Sequence, residues 1–513
     1  MITFSKLIRP SLPDDCIYDI LQHLRGDRST LYTCLFVNHF WCSCVVPLLW
    51  CQPFSSFRCW ALIVRTYIYC LDNSALASLI PFNIYIPTTY KPLFTYERYL
   101  EAFSISDMEN GIITWLRINT ETRIRSDDDR IRPIMNAFWH MFLNRCRNLA
   151  SININTGYGT SDLPELDVFL NARPGLSKLR SLDCCIGHKS DEISNYQNTM
   201  NLLRNWPVQS SNLTKMWVSV YEDRITPNDL ISSIVKAQRN LKEFKFAGIG
   251  TFTQNVISAL KHHAHSLTSL KLWMLVLDGI SFDGLVSLEK LESLDIQWCE
   301  GISIDHCFAL SDASFNLTSL SIWDNPSSPD ITATLIIKAG KSLKDLKTDM
   351  ITKEMIDVAN KYCPNITHLC IKIKNENYVY FFPWIKNLKL EHLDFFSHED
   401  DASDGIRLLG EYIPPTVIYL NLDYATYTPR SFNYFLNVCE ANIITMIIRF
   451  SKELIDGCFE DILEFARRKR CMRTLAFICT PICWMEWSEK ELELIEDMKK
   501  CNVKVVKSIS RKF

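Results

Sequence analysis

The most regular feature of the sequence is a short apolar motif that recurs from residue 149 onward. The motif reads apolar-x-x-apolar-x-apolar, and Leu267, Leu270 and Leu272 form one of its clearest copies. Its thirteen copies begin at Leu149, Leu179, Leu213, Leu241, Leu267, Leu291, Leu317, Leu343, Ile366, Leu390, Val417, Ile443 and Met472. The mean step between copies is about 27 residues, a period that indicates one supersecondary unit per copy.

Each unit is predicted to hold one short strand and one helix. The last two apolar residues of the motif alternate with other residues, as in a strand with one buried face. Between the motifs lie patterns typical of amphipathic helices, such as Phe432, Phe435 and Leu436 on one face. A strand and a helix in every repeat predict an α/β solenoid, a horseshoe with parallel strands inside and helices outside.

The strands of such a solenoid present a row of side chains on the open face of the sheet. If the last two apolar residues of each motif face the core, the residue between them and the one after them face outward. The predicted binding residues on this face are Lys271, Trp273, Asp295, Gln297, Trp323, Lys372, Asp394 and Asp423. Tryptophan is over-represented among residues that dominate binding energies. The alternatives are that the tryptophans pack under loops or that the face is only a solvated sheet.

Three short apolar patterns fill the first fifty residues. Pro13 is expected in the first turn of a helix, where its missing N–H costs nothing. Apolar residues then recur at helical spacing from Ile17 to Leu24, and two further helices are predicted up to Trp50. About 40 residues rarely make a self-sufficient core. We therefore expect the surplus apolar surface to dock on a partner or to pack on the chain that follows.

The order and spacing of these residues resemble an F-box, the small helical module of F-box proteins. The resemblance rests on Leu12, Pro13, Ile17, Ile20, Leu21, Leu24, Leu31, Cys34, Val37, Trp41, Leu48, Leu49 and Trp50. It implies that these residues, Cys34 apart, bind the adaptor subunit of an SCF-type (cullin–RING) ubiquitin ligase, and through it a cullin. The repeat region similarly resembles the leucine-rich repeats of F-box proteins, although it lacks a regular Asn or Cys after the motif.

The expected organisation is an F-box-like helical module at 11–54, a helical or irregular bridge with the first repeat or repeats at 55–145, and a leucine-rich-repeat solenoid at 146–513. The resemblance implies a non-enzymatic subunit that recruits an unknown protein substrate to the ligase. One alternative is a non-ligase scaffold whose F-box-like helices cap the solenoid. Another is a hydrolase or transferase that uses a site without a recognisable motif.

Composition narrows the remaining classes of function. The 55 Lys and Arg residues nearly balance 58 Asp and Glu residues, which gives no support to nucleic-acid binding. No apolar run approaches the roughly 20 residues of a membrane-spanning helix, and Met1 to Pro10 lack a secretory signal. We expect a cytoplasmic and/or nuclear protein whose 20 cysteines are reduced thiols.

Motifs for catalysis or cofactor binding are absent from the sequence. It holds no Walker A sequence, no G-x-S-x-G, no H-E-x-x-H and no Cys-x-x-Cys pair. The 15 glycines are about 3% of the chain, well under the usual share of roughly 7%. We therefore predict no cofactor and no metal site. The basic run from Arg467 to Arg470 is interpreted as a solvated helix end, with a nuclear-import patch as the alternative.

Overall fold

A computed structural model of the chain describes residues 12–55, 59–84, 86, 91–120, 124–125, 127–155, 162–187, 196–221, 229–248, 253–326, 329–397, 401–422, 425–449, 451–479 and 487–509. These residues fall into two compact units. The first unit ends at Lys242 and the second begins at Glu243. The F-box-like helices and the first four strands share the first unit.

The first unit combines a helical N-terminal part with four parallel strands, counted over its described residues. Its helices are α1 (Asp14–His23), α2 (Arg28–Cys34), α3 (His39–Trp50), α4 (Trp60–Cys70), α5 (Asn73–Leu79), α6 (Ile105–Thr120), α7 (Ile131–Arg145), α8 (Leu166–Leu170), α9 (Gln197–Gln209) and α10 (Leu230–Ala237). Its strands are β1 (Ala102–Ser104), β2 (Ser151–Asn155), β3 (Ser181–Ile186) and β4 (Lys215–Val220). The strands pair in chain order.

The second unit is a regular alternation of strand and helix. Its strands are β5 (Glu243–Gly248), β6 (Ser269–Trp273), β7 (Ser293–Gln297), β8 (Ser319–Trp323), β9 (Asp345–Thr348), β10 (His368–Ile373), β11 (His392–Ser397), β12 (Tyr419–Leu422), β13 (Thr445–Arg449), β14 (Thr474–Cys479) and β15 (Lys504–Ile509). Its helices are α11 (Thr253–Ala259), α12 (Asp283–Val286), α13 (Ile304–Ser311), α14 (Pro329–Ala339), α15 (Lys353–Tyr362), α16 (Tyr378–Lys386), α17 (Ser403–Tyr412), α18 (Pro429–Val438), α19 (Lys452–Lys469) and α20 (Glu489–Lys500). All neighbouring strands are parallel and follow chain order.

The predicted solenoid of leucine-rich repeats is confirmed. Each of the thirteen predicted motifs yields a strand that begins two residues after the motif's first position, as Leu267 does for β6. Equivalent positions pair across neighbouring strands, so Leu270 pairs with Leu294 and Leu294 with Leu320. These side chains are buried, and burying one leucine contributes roughly 1.5–3 kcal/mol. The rows of buried leucines therefore fix the register of the sheet.

A polar residue fits in these rows where its hydrogen bond is satisfied locally. Thr348 occupies the third apolar position of its motif and is buried. Its hydroxyl donates to the carbonyl of Met350 at 3.0 Å, which offsets the cost of burying the group.

A Cys or Asn after the motif is not regular in this sequence, but two repeats have one. Cys299 and Asn325 each lie three residues beyond the last apolar position of their motif, and both are buried. Asn325 Oδ1 accepts a hydrogen bond from the Cys299 amide at 2.7 Å, and Asn325 Nδ2 donates to the carbonyl of Ile296 at 2.8 Å. The amide side chain thus ties two successive turns together.

Two strands were missed by the sequence pattern. Leu100, Phe103 and Ile105 match the motif around β1 and are buried, but they precede Leu149 by almost twice the mean step. For β15, polar Asn502 and Lys507 occupy the first and third apolar positions. The first strand, β1, thus lies in the region 55–145, which was predicted to hold a bridge and the first repeat or repeats.

Glycine is needed where the backbone of successive repeats comes close. A Cβ on Gly284 in α12 would lie 2.1 Å from the carbonyl oxygen of Ile257 in α11. At Gly301, with φ of +74°, a Cβ would lie 2.4 Å from the amide nitrogen of Asp278. Both contacts are with backbone atoms, which cannot move aside as a flexible side chain can.

We predict that Gly284→Ala destabilises the second unit by about 1–3 kcal/mol, because the added methyl forces α11 and α12 apart. Urea unfolding of the full chain, followed by circular dichroism, measures this change. Gly26→Ala is the control, since a Cβ there meets no atom within 4 Å. Equal unfolding midpoints for the two variants would contradict the prediction.

Candidate functional site

The first three helices close around a small core of their own. Leu21, Leu31, Cys34, Val45 and Leu48 form this core and are buried. Side-chain caps start two of the helices: Asp27 Oδ1 accepts from the Thr30 amide at 3.0 Å, and Asn38 Oδ1 accepts from the Trp41 amide at 2.9 Å. Such caps satisfy amides that have no partner within the helix.

Pro13 lies one position earlier than predicted. It precedes α1 as the N-cap residue with extended backbone, φ −55° and ψ 147°, rather than occupying the first turn. Its carbonyl accepts the first hydrogen bond of the helix, from the Ile17 amide at 3.1 Å. Asp14 and Asp15 then occupy the first turn, as the helix dipole favours.

Burial divides the residues predicted to bind an adaptor. Leu21, Leu31 and Leu48 lie in the core, so their assignment as contact residues is corrected: they support a surface without forming it. Ile17, Leu24, Trp41 and Leu49 are partly buried against that core.

Trp50 is also turned inward, within the first unit. Its ring lies 4.3 Å from that of Tyr96 and 5.3 Å from that of Tyr67, measured between ring centroids. Trp50 therefore joins α3 to the chain that follows.

The remaining predicted residues are exposed. Leu12 exposes 56%, Ile20 45% and Val37 56% of their surface, and Pro13 is exposed as well. Sequence reasoning missed Tyr18, Tyr32 and Phe36, which are exposed too, Phe36 by 73%. The rings of Tyr32 and Phe36 meet edge to face at 5.5 Å. We call these seven residues the N-terminal apolar set.

In the second unit the open face of the sheet carries paired charges. Lys271 Nζ lies 3.3 Å from Asp295 Oδ2, and Gln297 Nε2 donates to Asp295 Oδ1 at 2.8 Å. The carboxylate of Asp295 is thus engaged on both oxygens. Lys271 is the exposed member of the group.

The two predicted tryptophans of this face are half-buried and lie under lysines of neighbouring strands. Lys245 Nζ lies 3.9 Å from the ring centroid of Trp273, and Lys347 Nζ lies 4.8 Å from that of Trp323. Trp273 also packs on Trp298 at 5.1 Å. Cations over an aromatic face are attracted by its quadrupole.

The other predicted residues of the face are distributed along later strands. Lys372 is half-buried on β10. Asp394 on β11 accepts a hydrogen bond from Asn421 Nδ2 at 2.7 Å. Burial raises the pKa of Asp394, while Asn421 and Lys347 oppose this rise. Asp423 lies outside the described residues.

A pocket of about 280 Å³ opens on this face around Asp394. Its lining includes Asp345, Lys347, His368, Cys370, His392 and Tyr419. Sequence reasoning missed His368 and His392, although both stand two residues after the start of their motifs, at Ile366 and Leu390. We call this cavity the β9–β12 pocket.

The basic run at the end of α19 contacts the repeats on both sides of this helix. Arg467 pairs with Asp497 at 3.2 Å, Arg468 donates to the carbonyl of Leu436, and Lys469 donates to that of Glu440 at 2.7 Å. Cations at carbonyl ends of a helix complement its dipole, so this run contributes to the packing of the solenoid.

Two searches of the described residues found no further site. Over these ranges no three or more His, Cys, Asp and Glu side chains are grouped as metal ligands. None of the described helices combines the length and the apolar character needed to cross a membrane.

No protein-family model and no curated protein matches the sequence. Among solved structures, the yeast Rad7 and Elc1 complex matches at 15% identity and a TM-score of 0.40, over 75% of this chain and 87% of that chain. The leucine-rich repeat-containing protein LegL7 from Legionella pneumophila matches at 12% and 0.33, over 68% and 97%. An internalin, inlF, from Listeria monocytogenes str. 4b F2365 matches at 13% and 0.28, over 72% and 81%. Because these TM-scores are low, the fold assignment rests on the strand order and register described above.

We predict that Cys370 resists alkylation in the native protein. Burial, together with Asp394, raises the pKa of its thiol to about 12, so the reactive thiolate is scarce at pH near 8. Exposed Cys16 and Cys59 serve as controls. Peptide mass mapping after brief iodoacetamide treatment should show modified Cys16 and Cys59 and unmodified Cys370; equal labelling would contradict the prediction.

Proposed function

We propose that this protein is the substrate-recruiting subunit of an SCF-type ubiquitin ligase. The N-terminal apolar set would bind the ligase adaptor, and the open sheet face of the second unit would bind a protein substrate. Ubiquitin transfer would occur on other subunits, so this chain contributes positioning alone.

The observation that carries the proposal is the division of the F-box-like residues into a closed core and an exposed set. Leu21, Leu31 and Leu48 already complete the small core, so Leu12, Ile20 and Phe36 are not needed to fill it. Large apolar side chains that remain exposed beside a completed core support a role in binding. The resemblance to an F-box identifies the adaptor as the partner.

A second function, in which these helices cap the solenoid, is favoured by contacts inside the first unit. Trp50 packs on Tyr67 and Tyr96, and Arg25 pairs with Glu101 at 3.0 Å. Such a cap would cover apolar surface at the end of the repeats. These contacts involve the inward side of the helices and leave the N-terminal apolar set exposed, so capping and adaptor binding are separable by mutation.

We predict that the double variant Leu12→Ala, Phe36→Ala binds the purified adaptor at least about tenfold more weakly than the native chain, because both side chains would be buried at the interface. Biolayer interferometry with immobilised full-length protein measures the affinity. Phe308→Ala, which removes another exposed ring, at 68% exposure on α13, is the matched control.

Urea unfolding of the same proteins separates binding from stability. The double variant should keep the native unfolding midpoint. Trp50→Ala should lower that midpoint, since removing a packed aromatic residue costs about 3–5 kcal/mol when it is buried, and less for this half-buried ring. Unchanged adaptor affinity in the double variant would show that the N-terminal apolar set does not bind the adaptor. Absence of adaptor binding by the native chain would refute the ligase role and leave the capping role.

A further inference from the structure

Three aromatic rings form a ladder along one side of the β9–β12 pocket. His368 pairs with His392 across β10 and β11, and His392 pairs with Tyr419 across β11 and β12. The ring centroids are 4.2 Å apart in the first pair and 5.1 Å in the second, with interplanar angles of 30° and 18°. These separations follow the roughly 4.8 Å spacing of hydrogen-bonded strands, so the ladder is a direct product of the register.

Two carboxylates lie beside the ladder. Asp345 Oδ1 is 3.1 Å from His368 Nδ1 at the β9 end. Asp394 lines the pocket on β11, and its Oδ1 accepts from Asn421. Among the described residues no group donates a hydrogen bond to Asp394 Oδ2. A carboxylate oxygen on a half-buried aspartate in an open pocket, without a donor of its own, can accept a hydrogen bond from a cationic ligand.

Lys347 is the one lysine among the residues that line the pocket, and its ammonium group is engaged by an aromatic ring. Its ammonium group lies over the ring of Trp323 on β8, and no ion pair joins it to Asp394 within the described part of the chain. The pocket is lined by two carboxylates and one ammonium group, so these three side chains together carry negative charge. Charge complementarity therefore favours a cation over an anion.

We propose that the β9–β12 pocket binds an arginine side chain presented by a protein partner. The guanidinium group donates to carboxylates in a fixed fork, which matches a pocket lined by two carboxylates better than a compact ammonium does. A volume of about 280 Å³ is large enough for one large side chain. This inference rests on the proposed function, because it names the substrate feature that the open sheet face would recognise.

The protonation states of the pocket support binding at neutral pH. Burial and the adjacent His368 lower the pKa of His392, which keeps this imidazole neutral near pH 7. Acidification weakens the site because it adds positive charge to His392. Because burial raises the pKa of Asp394, this carboxyl also takes up a proton at a higher pH than an exposed aspartate does. The titratable groups that face the histidines are Asp345, Lys347, Cys370, Glu391, Asp394 and Tyr419.

The test selects peptides from a random phage-displayed library on the full-length protein at neutral pH. Arginine should be enriched at one fixed position by about tenfold over the unselected library. Asp394→Asn, which keeps the shape and the hydrogen bond to Asn421, should abolish the enrichment. Asp357→Asn is the control, because Asp357 is exposed on helix α15 and is not among the residues predicted to bind substrate; it should preserve the enrichment.

A synthetic copy of the selected peptide then measures the contribution of the guanidinium group. Replacing its arginine by neutral, nearly isosteric citrulline should weaken binding about tenfold in fluorescence anisotropy. Lowering the pH from about 7.5 to about 5.5 should weaken the arginine peptide and leave the citrulline peptide nearly unchanged. Enrichment of acidic residues or of none, or an arginine preference that survives Asp394→Asn, would overturn the proposal.

Adaptor affinity is measured on the same variants. Asp394→Asn should bind adaptor like the native chain. If the native protein does not bind the adaptor, the ligase proposal is refuted, but the enrichment of arginine in the peptide selection can still be observed. Failure of the ligase proposal and failure of the arginine proposal are therefore distinguishable. The unfolding midpoint of Asp394→Asn should equal that of Asp357→Asn, which separates loss of recognition from loss of fold.

Discussion

The structure depends on in-register pairing of short parallel strands through their buried apolar rows. A slip of one residue would move every leucine of a strand from the core to the open face, as the row from Leu270 to Leu320 illustrates. Because the apolar positions repeat without a shift, the outward positions repeat as well. Side chains distant in the sequence thus become neighbours at the spacing of strands. Both the charge pairs and the ring ladder of the open face arise from this constraint.

Much of the repeat architecture was predictable because the buried positions recur in the sequence as apolar residues at a regular spacing. The thirteen motifs located thirteen strands, and the alternation of faces placed Lys271, Trp273 and Trp323 on the open side. Strand β1 was not predicted because its motif lies almost two mean steps before the next one. Strand β15 was not predicted because polar residues occupy two of its three apolar positions. The β9–β12 pocket was not predicted, since two histidines separated by a whole repeat carry no local signal. Their shared motif position was present in the sequence, but only the register makes it a contact.

The N-terminal helices show a different limit of sequence reasoning. Leu12, Leu21 and Leu31 belong to one apolar pattern, yet the first is exposed and the other two fill the core. Helical spacing identifies a stripe of apolar residues, but it does not distinguish residues that pack within their own chain from residues that contact a partner. Tyr32 and Phe36 were overlooked because Phe36 lies beyond the end of α2. Their exposure became evident only from the packing of α2 against α3.

The recurrence of one register has a consequence for how the open face can change. Each strand pairs with the next at equivalent positions, so Lys347, Cys370 and Asp394 stand in one row on β9, β10 and β11. Removal of the single repeat that carries β10 would preserve the pairing rule and place Lys347 directly beside Asp394. The pocket would be exchanged for an internal ion pair in one genetic event. Loss of a whole repeat would thus change which side chains are neighbours on the open face while keeping the same pairing of strands.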